Sequence, residues 1–343
     1  MNFQEYVDTV KERIKEYLPE EYAGAEVNVH QMRKLNETYT ALSVRKEDQM
    51  ITPSINLDAF FEEYDGSFVQ LNEDLQRMAM LAQTEPENMD MDVLTDYEQA
   101  KENLFIRVSS VEQNQDLLDQ VPHMIKEDLL ITYHITAGIE STGMMSTLIN
   151  NRMMEQFHVT QEQLHQDALE SSMRIMPASI RNMNEVVRPM IREDMLSSGM
   201  SEEDADIMLD QMMKDNSNEM TVVTNERTLN GAGVLFYPQM MEELSERMGG
   251  DFFILPSSVH EMLVLPDNGL YDAQDLKEMV EDVNTTQVEP EDRLTNEAYH
   301  FDSKEHIFEK AETFEARQAA KEKAAEREKE PMRPRRKSAE MTM

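Results

Sequence analysis

Cysteine is absent from this 343-residue chain, and so is tryptophan. The first absence removes disulfides, thiolate metal sites and cysteine nucleophiles at once, without by itself fixing the compartment. Long apolar runs are missing too. The longest are a few residues, such as residues 252–255, far below the roughly 18–20 that a membrane span needs. The first 22 residues, MNFQEYVDTVKERIKEYLPEEY, show no basic start followed by an apolar core. A secretory signal is therefore not expected, and the expected location is the cytoplasm.

Basic residues are scarce relative to acidic ones: 32 Lys and Arg stand against 69 Asp and Glu, a net charge of -37. Affinity for phosphate backbones comes from Lys and Arg displacing counterions, so nucleic acid is not an expected partner. Anionic membrane surfaces are disfavoured for the same reason. An acidic protein that occupies DNA-binding proteins as a DNA mimic is one alternative reading. The acids are spread along helical stretches and mixed with Lys and Arg, which favours solvated helix faces instead.

Signature motifs of catalysis are missing as well. There is no GKS or GKT phosphate loop. Gly231-Ala232-Gly233 follows a predicted strand, but the third glycine of a dinucleotide fingerprint falls on Phe236. No G-x-S-x-G elbow and no HExxH occurs. Asp90 and Asp92 lack the third ligand and the glycine of a calcium loop. His300 and His306, with Asp302 and Glu305 between them, are the nearest thing to a metal set, and carboxylates are common enough here to produce such proximity by chance. No cofactor and no metal is expected. The weak catalytic candidates are Ser258, His260 and Glu261, with Ser257 adjacent: a hydroxyl, an imidazole and a carboxylate close in sequence. On a strand, neighbouring side chains point to opposite faces, so His260 and Glu261 would not cooperate there. A turn histidine with satisfied hydrogen bonds is the simpler reading.

What is plentiful is methionine, at 30 residues. Met fills irregular core gaps and also builds adaptable binding surfaces. In residues 201–212 it recurs with helical spacing, and the pattern places Ala205, Met208, Leu209 and Met212 inward, as core filler. The densest apolar segment is residues 220–267, which holds four of the ten glycines. It reads as strand, loop made flexible by Gly231 and Gly233, helix, and a strand pair parted by Pro256-Ser257-Ser258.

Along the chain, Phe3, Val7, Val10, Ile14 and Leu18 mark an amphipathic helix over residues 3–18, capped by Asn2. Alternation predicts strands over 25–33 and 38–45 joined by a hairpin, then a short strand containing Pro53 and a helix capped by Asp58. Helices are predicted over 68–82 and 91–101, and strands over 104–108, 129–135 and 144–149. Thr160 opens a helix to about residue 171. Pro189 interrupts the helical pattern of 184–197, and Ser201 caps the next helix. Polar breaks fall at 84–88 and 215–218. Asp272 caps a helix to residue 282, and the last strand is expected over 296–301. Residues 309–330 are nearly all Glu, Lys, Arg, Ala and Gln, an exposed helix at most, and 331–337 form a basic tip expected to be inert.

Three segments taken together are familiar: FQEYVDTVKERIKEYLPEEYAGAEV, then DLLITYHI with INNRMMEQFHVTQEQLHQDALESS, then TNERTLNGAGVLFYPQMMEELSERMGGDFFILPSSVHEMLVLPD. They resemble a family from anaerobic Gram-positive bacteria classed as a domain of unknown function, over most of residues 1–302. The later two are also similar to a broader bacterial family with the same layout of strand pair, helix and strand-helix-hairpin unit. The resemblance implies a bacterial cytoplasmic setting, sometimes among mobile-element cargo, and carries no catalytic residue or cofactor across.

The expected fold is α+β, with antiparallel sheets and packed helices in two or three modules: 1–100, 101–215 and 216–302, followed by a charged tail at 303–343. The expected function is non-enzymatic binding or regulation of another protein, with a hydrolase using Ser258 and His260 as the alternative.

Overall fold

The computed structural model describes residues 1–47, 52–84, 91–140, 143–214 and 220–329. The polar breaks at 85–88 and 215–218 and the basic tip at 331–337 lie outside the described residues. The fold is α+β, with three antiparallel sheets and helices packed on them.

Helix α1 (Phe3–Arg13) starts at a capping box in which Asn2 and Glu5 satisfy each other's backbone donors, and it tightens into a 3-10 turn, Ile14–Tyr17. Strands β1 (Glu26–Lys34) and β2 (Glu37–Arg45) form the hairpin, with β3 (Ile55–Asn56) on the far side of β2. Helix α2 (Leu57–Glu62) is capped by Asn56, whose side chain accepts the amides of Asp58 and Ala59. Asp58 is not the cap: its carboxylate accepts the Thr40 amide of β2 instead. Helix α3 (Phe68–Ala82) closes this unit. Val10, Ile14, Leu42, Val44, Leu71, Leu75 and Met78 are among its core residues.

Residues 91–101 form short pieces rather than one helix: a 3-10 turn, α4 (Tyr97–Ala100) and a second 3-10 turn. The second sheet contains β4 (Leu104–Ser110), β5 (His123–Lys126), β6 (Leu129–Glu140) and β7 (Gly143–Leu148), all paired through β6 or to it. Helices α5 (Asn151–Phe157) and α6 (Gln161–Ile175) follow, the latter capped by the Thr160 hydroxyl. Alpha-6 lies along β4, where its Ser172 hydroxyl accepts the Ile106 amide at 3.0 Å.

The third sheet has six strands, β8 (Ala178–Asn182), β9 (Thr221–Asn225), β10 (Phe252–Ser258), β11 (Glu261–Pro266), β12 (Tyr299–Asp302) and β13 (Ile307–Lys310), in the order β13-β12-β10-β11-β9-β8. Between β8 and β9 stand two helices, α7 (Met183–Ser197) and α8 (Glu202–Lys214). Alpha-7 runs through Pro189 without a break. Strand β10 likewise continues through Pro256 to Ser258, with a bulge there that accommodates the missing amide. The turn is Val259-His260. Helix α9 (Met240–Met248) ends on Gly249, whose φ of 81° lets its amide reach back to Ser245 O. Helix α10 (Ala273–Thr286) has a capping box between Asp272 and Asp275.

One continuous core joins the second and third sheets. It takes Leu104, Ile106, Val108, Ile131 and Tyr133 from one, and Phe252, Ile254, Met262 and Tyr299 from the other. The 3-10 segment Gly231–Phe236 packs into it. This segment is no flexible loop. A Cβ on Gly231 would lie 2.1 Å from Thr224 Oγ1 and 2.4 Å from His260 O, so glycine is required by close approach. On the opposite face of the third sheet, Phe253, Leu255 and Leu265 pack on Leu276 and Val280 of α10.

The charged end of the chain contributes more than an exposed helix. Beta-13 pairs with β12, and Phe308 stacks on Tyr299 with ring centres 5.0 Å apart. Helix α11 (Ala311–Lys329) then begins with buried Ala311. Its Arg317 reaches Asp302 at 2.9 Å and also binds Glu305 and Glu309.

Candidate functional site

The residues singled out for chemistry meet at the β10–β11 turn. Ser258 pairs with Glu261 across it, and His260 sits at its tip. The hydroxyl of Ser258 accepts the backbone amide of His260 at 3.0 Å, as a turn residue does, and does not bond the imidazole. His260 has two engagements of its own. Its Nδ1 accepts the Asn230 amide at 3.0 Å, and its Nε2 lies 3.3 Å from Asp292 Oδ1. An Nδ1 that accepts an N–H leaves the ring proton on Nε2, facing Asp292. The backbone is tied down as well: Thr224 Oγ1 donates to His260 O at 2.7 Å, and the Val259 amide donates to Asp292 O at 2.8 Å. Glu261 turns to Ser257, whose hydroxyl donates to Oε1 at 3.3 Å. A general base must reach the proton it takes. Here the imidazole is consumed by a backbone amide on one side and a carboxylate on the other, so the arrangement staples the 225–231 loop and the 290–292 turn onto the hairpin.

The other histidines are dispersed. His300 is buried, its Nε2 3.2 Å from Asp267 Oδ2. His306 stands 3.5 Å from Glu242, while Asp302 and Glu305 both bind Arg317. His165 Nδ1 meets the Tyr133 hydroxyl at 3.2 Å. Among the described residues no group of three or more His, Asp or Glu is placed to hold a metal ion.

A surface cleft beside α6 is lined by Lys101, Glu102, Asp167, Glu170, Ser171 and Arg174. Its cations are already matched: Arg174 pairs with Glu102 at 2.8 Å and Lys101 with Glu98. Asp167 accepts the Tyr97 hydroxyl at 2.6 Å. Burial and that carboxylate hold the Tyr97 phenol protonated well above its ordinary range.

The family model for a "Family of unknown function (DUF5688)" matches residues 3–303. The chain belongs to DUF5688. No curated protein and no solved structure matches this DUF5688 chain. No helix among its described residues is long and apolar enough to cross a membrane.

The surface feature that the sequence pattern misplaced is the α7–α8 hairpin of this DUF5688 member. Helix α8 buries Ala205 and Leu209, but Met208 and Met212 are not inward. They are 44% and 48% exposed, with Ile207 at 52% and Met190 of α7 at 63%. Alpha-7 buries none of its residues. The two helices are cross-linked by Arg188 to Asp210 at 2.7 Å and by Arg192 to Asp206 at 2.8 Å. Residues 183–214 hold seven methionines, and eight acidic residues against three basic ones. Helical spacing reveals an apolar stripe but not what covers it. Here α8 packs chiefly on α7, and half of its apolar residues face water.

Proposed function

We propose that this chain is a non-enzymatic protein-binding protein of the bacterial cytoplasm, in the anaerobic Gram-positive setting that the resemblance implies, and that its contact surface is the α7–α8 hairpin. The observation that carries this reading is the set Met190, Ile207, Met208 and Met212, apolar and 44–63% exposed on one hairpin. Flexible thioether side chains suit a surface that adapts to another protein. The acidic surplus around them selects the partner's chemistry: a basic, amphipathic helix, with apolar anchors for the methionines and Lys or Arg for the rim. The hydrolase alternative loses support from the engaged nitrogens of His260.

The test is affinity capture from the native host with tagged wild-type chain, a hairpin variant (Met190→Gln, Met208→Gln, Met212→Gln) and a control variant on α3 (Phe68→Gln, Met80→Gln), where the exposed apolar residues lie elsewhere. One basic partner kept by the wild type and the control and lost by the hairpin variant is expected. Equal capture by all three, or repeated failure to capture any partner, overturns the reading.

A further inference from the structure

Arg107 stands on β4 between Phe105 and Ser109. Its neighbours Ile106 and Val108 belong to the shared core, so alternation turns Arg107 and Ser109 to the opposite face. Register sets Thr132 directly across from Arg107, with His123 beyond it, and sets His134 across from Phe105. Phe105, Ser109, Thr132 and His134 are all buried, whereas Arg107 keeps partial exposure. This face therefore sets one partly open cation beside two hydroxyls, an imidazole and a phenyl ring.

Among the described residues that cation has no partner. The Nε of Arg107 is buried and makes no hydrogen bond, and no carboxylate of the described residues lies within 4.0 Å of the guanidinium. In a chain with 69 acidic residues this is anomalous. Among the described residues Arg152, Arg181 and Arg227 also have no side-chain partner, but they are exposed to water. Arginines withdrawn from solvent are bound, as Arg33 is to Asp116 at 2.7 Å and Arg317 to Asp302 at 2.9 Å. Asp292 is the acid whose field reaches Arg107, but its Oδ1 already faces His260 Nε2. Two residues along the same strand face, the hydroxyl of Ser109 is 1% exposed and also lacks a partner. Buried charges and hydroxyls are normally satisfied, because desolvation otherwise costs stability. His134 cannot supply the missing anion. Burial and the nearby Arg107 charge hold it neutral, with its Nε2 3.1 Å from the Thr132 hydroxyl.

We propose that Arg107 and Ser109 form a binding site for a small oxyanion, the carboxylate or phosphate group of a small molecule. The guanidinium presents two parallel N–H groups to two oxygens of such a group, and the Ser109 hydroxyl donates to the same group. Partial exposure of Arg107 provides the entry. The ligand supplies the negative charge that the fold leaves out. The site lies away from the α7–α8 hairpin and does not depend on that hairpin binding anything.

Thermal melts of the full chain in inorganic phosphate, in acetate and in chloride, all at one ionic strength, test this. Phosphate or acetate should raise the wild-type Tm by about 2–4 °C over chloride near saturation. Arg107→Met should abolish that shift while melting in chloride no lower than the wild type, since it removes an unpaired charge. Arg107→Lys should retain only part of the shift, because a point charge lacks the fork, and Ser109→Ala should shrink it. A wild type that responds to neither anion overturns the proposal. So does an Arg107→Met variant that keeps the full response, or one that melts several degrees lower in chloride, which marks a structural arginine.

Discussion

The imidazole of His300 lies flat on the phenyl ring of Phe314, with 3.5 Å between ring centres and 13° between planes. This contact joins β12 to α11, and the Arg317 bonds to Asp302, Glu305 and Glu309 reinforce it. A chain ending at Lys329 keeps all of these contacts. One ending at Asp302 loses β13, Phe308 and Phe314, exposes the edge of β12, and should melt many degrees lower or aggregate. Phe314→Ala should cost about 1–2 kcal/mol, below a fully buried Phe because the ring is only partly covered. Thermal melts of the three forms check this.

Acid should destabilise the fold through two buried histidines. Burial lowers the pKa of His300, outweighing the raising effects of Asp267, Asp251 and Asp302, and burial together with Arg107 lowers that of His134 well below its ordinary value. Unfolded imidazoles take up a proton near pH 6.5. Below that pH the unfolded chain binds more protons than the folded one, so stability falls as pH drops and is fully present only above it. Melts between pH 7.5 and 5.5 should show this slope. His300→Gln should start from a lower Tm at pH 7.5, for loss of the Phe314 stack, and show a shallower slope. A slope unchanged by both His300→Gln and His134→Gln would assign it elsewhere.

Asp74 carries the opposite sign. Its side chain is buried on α3, accepts the Tyr6 hydroxyl at 3.0 Å and has Arg77 at 3.8 Å. Desolvation raises its pKa, more than Tyr6 and Arg77 lower it, with Glu63 and Glu73 adding to the rise. The folded carboxyl holds its proton more tightly than the unfolded one. Its contribution is thus greatest below the unfolded carboxylate value, about pH 3.9, and is lost as pH rises through the folded value. Asp74→Asn keeps an acceptor for Tyr6 without the charge. It should be neutral or stabilising at pH 7, whereas Asp74→Leu, which strands the Tyr6 hydroxyl, should cost about 1–3 kcal/mol. Denaturant melts of both variants decide it.

Much of the fold follows from local periodicity. Val7, Val10 and Ile14 face the first core as their spacing requires, and the β1–β2 and β10–β11 pairings are those that alternation implies. Some misses are local, as with the Asn56 cap and the broken 91–101 stretch; the others are non-local. Beta-13 has only Ile307 and Phe308 as apolar residues, and what makes it a strand is pairing with β12. Met208 and Met212 have core spacing, but the described residues leave them 44% and 48% exposed. Nothing in the sequence signals that Asn230 and Asp292, 30 and 32 residues from His260, clamp its ring from both sides. Arg107 is equally silent: its peculiarity is the absence of a partner, which only a folded chain can display.

Gly231 gives a sharp test of close packing. Alanine there must displace the Thr224 hydroxyl or the His260 carbonyl and should cost about 3 kcal/mol or more. Gly24→Ala is the control, since nothing lies within 4 Å of a Cβ at that position and its φ is ordinary. It should change stability by no more than about 0.5 kcal/mol. Equal, small effects at both positions would mean that the 231–236 segment moves freely against the hairpin.

His260 separates structure from chemistry most directly. Alanine at this position deprives the Asn230 amide of its acceptor and Asp292 of its donor. Both losses fall on groups that hold the 225–231 loop and the 290–292 turn in place, so His260→Ala should cost about 1–3 kcal/mol. His260→Asn can restore one of the two bonds and should cost less. Ser258→Ala removes only an acceptor for the turn amide, about 1 kcal/mol. Together these make a graded series in melting temperature, with alanine at 260 the worst. A nucleophile and base would behave otherwise: Ser258→Ala and His260→Ala would leave the melting temperature unchanged and abolish a hydrolytic activity equally. Melts of the three variants, alongside a general esterase and peptidase substrate panel, distinguish the two, and an activity lost without a change in stability would sink the structural assignment of His260.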